Sequence, residues 1–238
     1  MYRAIYIATS AASVKDRQLE FINRNLANLN TIGYKKERIA FSSFVLPKEF
    51  MFEASTKVML NPSPIITTDY SEGKLINTGN PLDLALKGKG FFVLEGNRYT
   101  RRGDFRLDSE GYLINIDGMR VLGDNSMPIR IPSGKVIIAK DGSITVDGKR
   151  IARLKIVDFA EPYRLLRIGD SLYIPQGQQE PIESVAQVIQ GSLEGSNVNI
   201  ISEMTRMIEA TREFETFQKT IRAIDEASSK AINEIGRI

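Results

Sequence analysis

The two ends of the chain constrain its fold most, because each carries an apolar stripe with the period of a helix seam. From Tyr2 to Leu29 there is no proline or glycine, and alternating three- and four-residue steps select Ile5, Ala8, Ala12, Lys15, Leu19, Ile22, Leu26 and Leu29. Only Lys15 interrupts the stripe. The same steps near the other end select Met207, Ala210, Phe214, Phe217, Ile221, Ile224, Ser228, Ala231, Ile235 and Ile238, with Arg212, Glu213, Lys219 and Glu226 on the other faces. A narrow seam sustained over several heptads predicts two helices that pack on each other as a coiled coil. Two amphipathic helices lying on a central domain satisfy the same periodicity, and the sequence pattern alone does not separate them. Asn30, Thr31 and Gly33 supply a stop for the first helix near residue 30, since glycine accepts the left-handed conformation that ends helices.

Between the helices the pattern becomes that of strands. Leu82–Leu86, Phe91–Leu94, Tyr112–Ile116, Val136–Ala139, Ile144–Val146 and Leu154–Phe159 are short apolar runs separated by turn residues. Asp117-Gly118, Asp141-Gly142 and Asp147-Gly148 are hairpin dipeptides. Lys36–Thr67 shows neither period and contains Asn61-Pro62-Ser63-Pro64, which predicts a linker or extended arm. The expected organisation is an N-terminal helix over 1–35, a linker or arm over 36–67, a mainly β central domain over 68–190, and a C-terminal helix over 191–238.

Composition narrows the chemistry. The 238 residues include no cysteine and no histidine, so thiol nucleophiles, imidazole bases, disulfides and most transition-metal ligation are absent, and no cofactor or metal site is expected. A net charge of +3 without a dense basic run predicts no nucleic-acid partner. The stretch Met1–Ser13 is too broken by polar groups for a secretory leader or a membrane span, so neither a cleaved signal nor membrane insertion is expected.

Three blocks carry a family resemblance. Asn25-Leu26-Ala27-Asn28-Leu29-Asn30-Thr31-Ile32-Gly33-Tyr34-Lys35 resembles the N-terminal signature of the flagellar rod and hook proteins. Leu82–Val93, followed by Tyr99-Thr100-Arg101-Arg102-Gly103-Asp104-Phe105, is similar to the family's central motif. Gln190–Asn199, which includes Gly195, Ser196, Asn197, Val198 and Asn199, is similar to the segment that opens its C-terminal helix. The blocks occur in the family's order and span essentially the whole chain. The short centre favours a rod over a hook protein, and the opening Met1-Tyr2-Arg3-Ala4-Ile5-Tyr6 favours the proximal over the distal type, while Thr211-Arg212-Glu213-Phe214 departs from the usual Gln-Arg-Ala-Tyr pattern.

The resemblance implies a non-enzymatic subunit of the basal-body rod, spanning the periplasm and delivered by the flagellar type III export machinery. Its partners would be further copies and other axial proteins, and the two stripes would form the assembly seam, paired as a coiled coil. It turns Asn25, Asn28 and Asn30 toward subunit contacts, although without it these asparagines read as helix caps, and it places Thr31, Gly33 and Tyr34 in the same family motif. Gly88 and Gly90 lack the spacing of a phosphate loop and read as a strand turn, and Asp83, Asp104 and Asp108 read as turn carboxylates instead of an acid–base pair. The readings from other classes are a carbohydrate-acting β enzyme and a monomeric adaptor whose coiled coil receives a partner helix.

Overall fold

The computed structural model describes residues 2–41, 64–169 and 171–235. Most of the expected linker, including Asn61–Ser63, and the last seam position, Ile238, lie outside the described residues. The chain forms two compact units. One contains the two helices with residues 37–41 and 64–69, and the other contains Asn28–Lys36 and the described residues of Tyr70–Val198.

In the helical unit, α1 spans Tyr2–Ala27 and α2 spans Ile200–Ile235. They pack on each other and run antiparallel: Lys15 forms an ion pair with Glu213, and Asn25 meets Glu203. Lys15, the polar break in the first stripe, is thus neutralised at the helix–helix contact and also donates to Gln18. Ala8, Ala12 and Ile22 are buried, while Ile5, Leu19 and Leu26 are half-buried. Phe21 and Asn25 are buried as well, one row away, so the inward stripe of α1 is wider than a strict seam.

Burial along α2 follows the expected steps closely. Ala210 is buried, and Phe214, Phe217, Ile221, Ile224, Ser228 and Ala231 are half-buried, whereas every other residue between 212 and 233 is exposed. Met207 sits at the rim of the stripe, 39% exposed between buried Glu203 and Ala210. Ile235 lies in the last turn. The start of α2 is capped by Asn199, whose side-chain oxygen accepts from the Ser202 amide at 3.0 Å. Neither helix is long and apolar enough to cross a membrane.

Two strands, Glu37–Phe41 and Pro64–Thr68, pair antiparallel within the same unit. They occupy the two described ends of the stretch expected to be a linker or extended arm. Five-residue runs bearing Glu, Arg and Pro are too short and too polar to reveal a two-residue period.

In the other unit the largest described sheet has six antiparallel strands in the order Leu165–Arg167, Leu172–Pro175, Arg98–Thr100, Phe91–Leu94, Ile156–Phe159, Pro181–Glu183. A three-stranded sheet joins Val136–Ile138, Ser143–Val146 and Lys149–Arg153. Gln187–Gln190 pairs with Leu84–Lys87, and Ser192–Glu194 with Leu75–Asn77. The uninterrupted run Phe91–Leu94 has a clear cause. Phe92 and Leu94 enter one core with Leu84, Phe105, Leu113, Ile144 and Leu154, while Phe91 and Val93 enter a second with Tyr99, Phe159 and Tyr173. A strand buried on both faces has no polar face to alternate with.

The Asp-Gly dipeptides form turns. Asp147 and Gly148 have φ of 48° and 81° between Val146 and Lys149, the paired positive values of a two-residue hairpin. At Asp117-Gly118 the chain folds back so that the Asn115 amide donates to Met119 O.

Candidate functional site

Most of each sequence block, residues 28–35, 82–105 and 190–198, lies in the β unit, where the three meet. Asn28 ends the helical run by a turn: the Thr31 amide donates to its carbonyl at 3.2 Å and the Thr31 hydroxyl to its side-chain oxygen at 3.0 Å. The helix therefore stops at Ala27, and Leu29, the last expected position of the first stripe, lies beyond it and is half-buried in the turn. Asn30 is exposed. Gly33 follows with φ 67°, and its amide donates to Glu194 O at 2.7 Å. The chain passes so close to Arg101 and Arg102 here that a Cβ on Gly33 would lie 2.6 Å from the Arg102 nitrogen.

Tyr34 is buried, with the Arg167 guanidinium 4.3 Å from its ring centre. The Asn197 side chain stitches the first and last blocks together. It accepts from the Lys36 amide at 2.7 Å and donates to Ser71 O and Ser71 Oγ, both at 3.1 Å, while its own amide donates to Tyr34 O. Ser196 Oγ accepts from the amide of buried Val198, and the Gly195 amide donates to Lys74 O.

At the centre of this junction is a buried ionic cluster of Lys35, Glu194 and Arg101, with side-chain exposures of 1%, 1% and 3%. Lys35 Nζ donates to Glu194 Oε1 and to Ser71 O, each at 2.6 Å. Arg101 Nε donates to Glu194 Oε2 at 2.9 Å, and its Nη1 donates to the carbonyls of Gly88 and Gly90 at 2.8 Å. The Gly73 amide donates to Glu194 Oε1 as well. Every oxygen of the carboxylate is thereby occupied, which is the condition for an ion pair to tolerate burial. Burial pulls the Lys35 ammonium below its ordinary pKa, and the Glu194 carboxylate opposes that shift.

The motif asparagines thus serve different structures. Asn25 belongs to the helical unit, where it is 2% exposed and imitates a strand neighbour: Nδ2 donates to Glu37 O at 2.9 Å and Oδ1 accepts from the Glu37 amide at 3.0 Å. Asn199 caps α2, Asn28 makes the turn, and Asn197 makes the stitch.

The sequence reading of site residues passed over Lys35, Arg101, Glu194 and Arg167. Buried charges leave no periodic trace, and the only signal was that Lys35, Arg101 and Glu194 fall inside the quoted blocks. The turn carboxylates are each engaged: Asp83 by Thr78 and Asn80, Asp104 by Arg102, and Asp108 by the amides of Glu110 and Tyr112. The Gly88 and Gly90 carbonyls point at Arg101, the orientation of a cation-holding turn and not of a phosphate cradle.

Comparison with known proteins finds a family profile over each of the three sequence blocks. Residues 5–35 match the profile described as flagella basal body rod protein. Residues 85–146 match that of the flagellar hook protein FlgE/F/G D1 domain, and residues 189–234 that of the flagellar basal body rod FlgEFG protein C-terminal. The chain is 31% identical over 245 residues to the flagellar basal-body rod protein FlgF of Caulobacter vibrioides, covering 100% of both. It is 33% identical over 264 residues to the flagellar basal-body rod protein FlgG of Bacillus subtilis, covering 98% of this chain and 99% of that one. The profiles fall on the segments that supply Lys35, Arg101 and Glu194, and the relatives align from end to end, so the chain belongs to the family of flagellar basal-body rod proteins.

Proposed function

We propose that this chain is a structural, non-catalytic subunit of the flagellar rod that polymerises through α1 and α2, paired as a coiled coil along the seam. The observation that carries this reading is the state of α2. Six successive seam positions from Phe214 to Ala231 are held at half burial, with exposed residues on all sides. One antiparallel partner covers a seam of this kind incompletely, and the apolar surface that remains gains roughly 25 cal/mol per Å² when a neighbouring subunit covers it. Repeated heterologous contacts of that type build an open tube instead of a closed ring.

On this reading the partners are further copies and the other axial proteins, and the subunit lies where the rod crosses the periplasm. It reaches that place through the flagellar type III export machinery. The proximal type, F, is favoured over G: the C. vibrioides FlgF alignment spans 245 positions, near the 238 of this chain, whereas the B. subtilis FlgG alignment runs to 264.

The test is Phe214→Ala. A fully buried phenylalanine costs about 3–5 kcal/mol on truncation, and a half-buried one loses only part of that within the subunit, so most of the loss falls on the polymer. The variant should keep the melting temperature of the isolated subunit within a few degrees of the parent while its incorporation into rods falls sharply. Normal incorporation and motility with Phe214→Ala would reject the seam as the assembly surface. A drop of many degrees in the isolated subunit would favour the adaptor reading.

A further inference from the structure

The cluster of Lys35, Glu194 and Arg101 is asymmetric in a way that assigns an order to its formation. Arg101 is held by the core of the β unit: its Nη1 is fixed by the Gly88 and Gly90 carbonyls, neither of which belongs to the N- or C-terminal blocks. Glu194 arrives on the strand Ser192–Glu194, which has anchors of its own. It pairs with Leu75–Asn77, the Gly191 and Ser192 amides donate to Asp83 O, and the Gly195 amide donates to Lys74 O. Lys35 arrives on the segment Asn28–Lys36, which takes bonds from the body of the β unit, where Arg167 donates to Lys35 O and Ser171 Oγ to Ile32 O, and Lys35 Nζ donates to Ser71 O, but is tied most densely to the C-terminal block. Gly33 donates to Glu194 O, Lys36 to the Asn197 side chain and Lys35 to the Glu194 carboxylate, and Tyr34 O accepts from the Asn197 amide.

The charges reinforce this hierarchy. Glu194 seated on Arg101 makes a neutral pair. Lys35 seated on Arg101 without Glu194 would place two buried cations together with no anion between them, an arrangement heavily penalised in low dielectric. Glu72, the other carboxylate felt by Lys35, is exposed and already accepts from the Gly88 amide, so its charge is screened by water. We propose that Glu194 acts as a gate for the N-terminal segment: 192–198 docks first onto Arg101, and 28–36 closes only afterwards. The segment synthesised first would then be seated last, when the rest of the β unit is complete.

Hydrogen exchange of the full-length protein, read by mass spectrometry, tests the order. In the unmodified protein titrated with sub-denaturing urea, 30–36 should lose protection at lower urea than 192–198, while 91–94 stays protected. Glu194→Gln should speed exchange at 30–36 by at least about tenfold, since the amide keeps the shape but removes the charge. Lys35→Met should speed exchange at 30–36 and leave 192–198 within about twofold of the parent. Equal acceleration of 192–198 by Lys35→Met would overturn the gate, as would unchanged exchange at 30–36 in Glu194→Gln. Should either variant fail to fold, the unmodified protein decides alone: loss of protection at 192–198 before or together with 30–36 rejects the proposed order.

Discussion

Replacing Gly33 with alanine probes how closely the N-terminal block is fitted to the β unit, and Gly118→Ala provides its internal control. Both glycines have positive φ, 67° and 81°, so a Cβ meets the same backbone penalty at each. Their surroundings differ: around Gly118 nothing lies within 4 Å of the added carbon, whereas at Gly33 it would lie 2.6 Å from Arg102 N and 2.8 Å from Arg101 C. The left-handed conformation costs roughly 1–2 kcal/mol, partly offset by the lower entropy of the unfolded alanine chain, so Gly118→Ala should lose about 1 kcal/mol.

Gly33→Ala carries the same loss and two more. Overpacking against backbone that cannot swing aside adds about 1–3 kcal/mol, and weakening the amide's 2.7 Å bond to Glu194 O adds roughly 1 kcal/mol, for a total of about 3–5 kcal/mol. That is a large fraction of the roughly 5–15 kcal/mol that stabilises a typical domain. Urea unfolding followed by near-ultraviolet circular dichroism of the tyrosines measures it, because Tyr34, Tyr99 and Tyr173 are all buried in the β unit. The midpoint should fall much further for Gly33→Ala than for Gly118→Ala, with the slope against urea unchanged. If the two variants differ by less than about 1 kcal/mol, the close approach does not bear on stability and the account of this junction is wrong.

Other substitutions address the helical unit and the second core. Asn25→Ala removes two bonds to the Glu37 backbone from a buried site, so it should cost about 2–4 kcal/mol and speed exchange of the Glu37 amide; Asn25→Asp should be no better, since a carboxylate cannot donate to Glu37 O. Burial, helped by the bond to Asp158, raises the Tyr163 phenol above its ordinary pKa, and burial alone raises Tyr99. An acid whose folded pKa is raised keeps its stabilising effect below the unfolded value near 10 and loses it as pH climbs above that. Stability of the β unit should therefore decline above about pH 10, and Tyr163→Phe should flatten the decline in urea midpoints measured across that range. Gly103→Ala would bring a Cβ to 1.7 Å from Leu84 O and should prevent the β unit from folding, so soluble protein with parent-like circular dichroism would contradict the packing at that crossing.

The sequence by itself determined whatever repeats or turns locally. Helices turn one stripe inward, so the period of α2 from Phe214 to Ala231 is legible as three- and four-residue steps, and the structure half-buries those positions and exposes their neighbours. Asp147-Gly148 was legible as a hairpin because only a few residues accept two successive positive φ values. The family blocks are legible as strings, and their order along the chain points to the rod proteins without any knowledge of contacts.

Tertiary structure alone decided what those strings do. Four asparagines of similar appearance became a false strand partner, a turn, a stitch and a cap, because a carboxamide offers the same donor and acceptor everywhere and its neighbours choose the use. Lys35, Arg101 and Glu194 carry no period, and residues 35 and 194 are separated by 159 positions. A buried charge is stable only beside its counter-charge, so the pairing exists once the fold has brought the three segments together, and no window along the chain contains it.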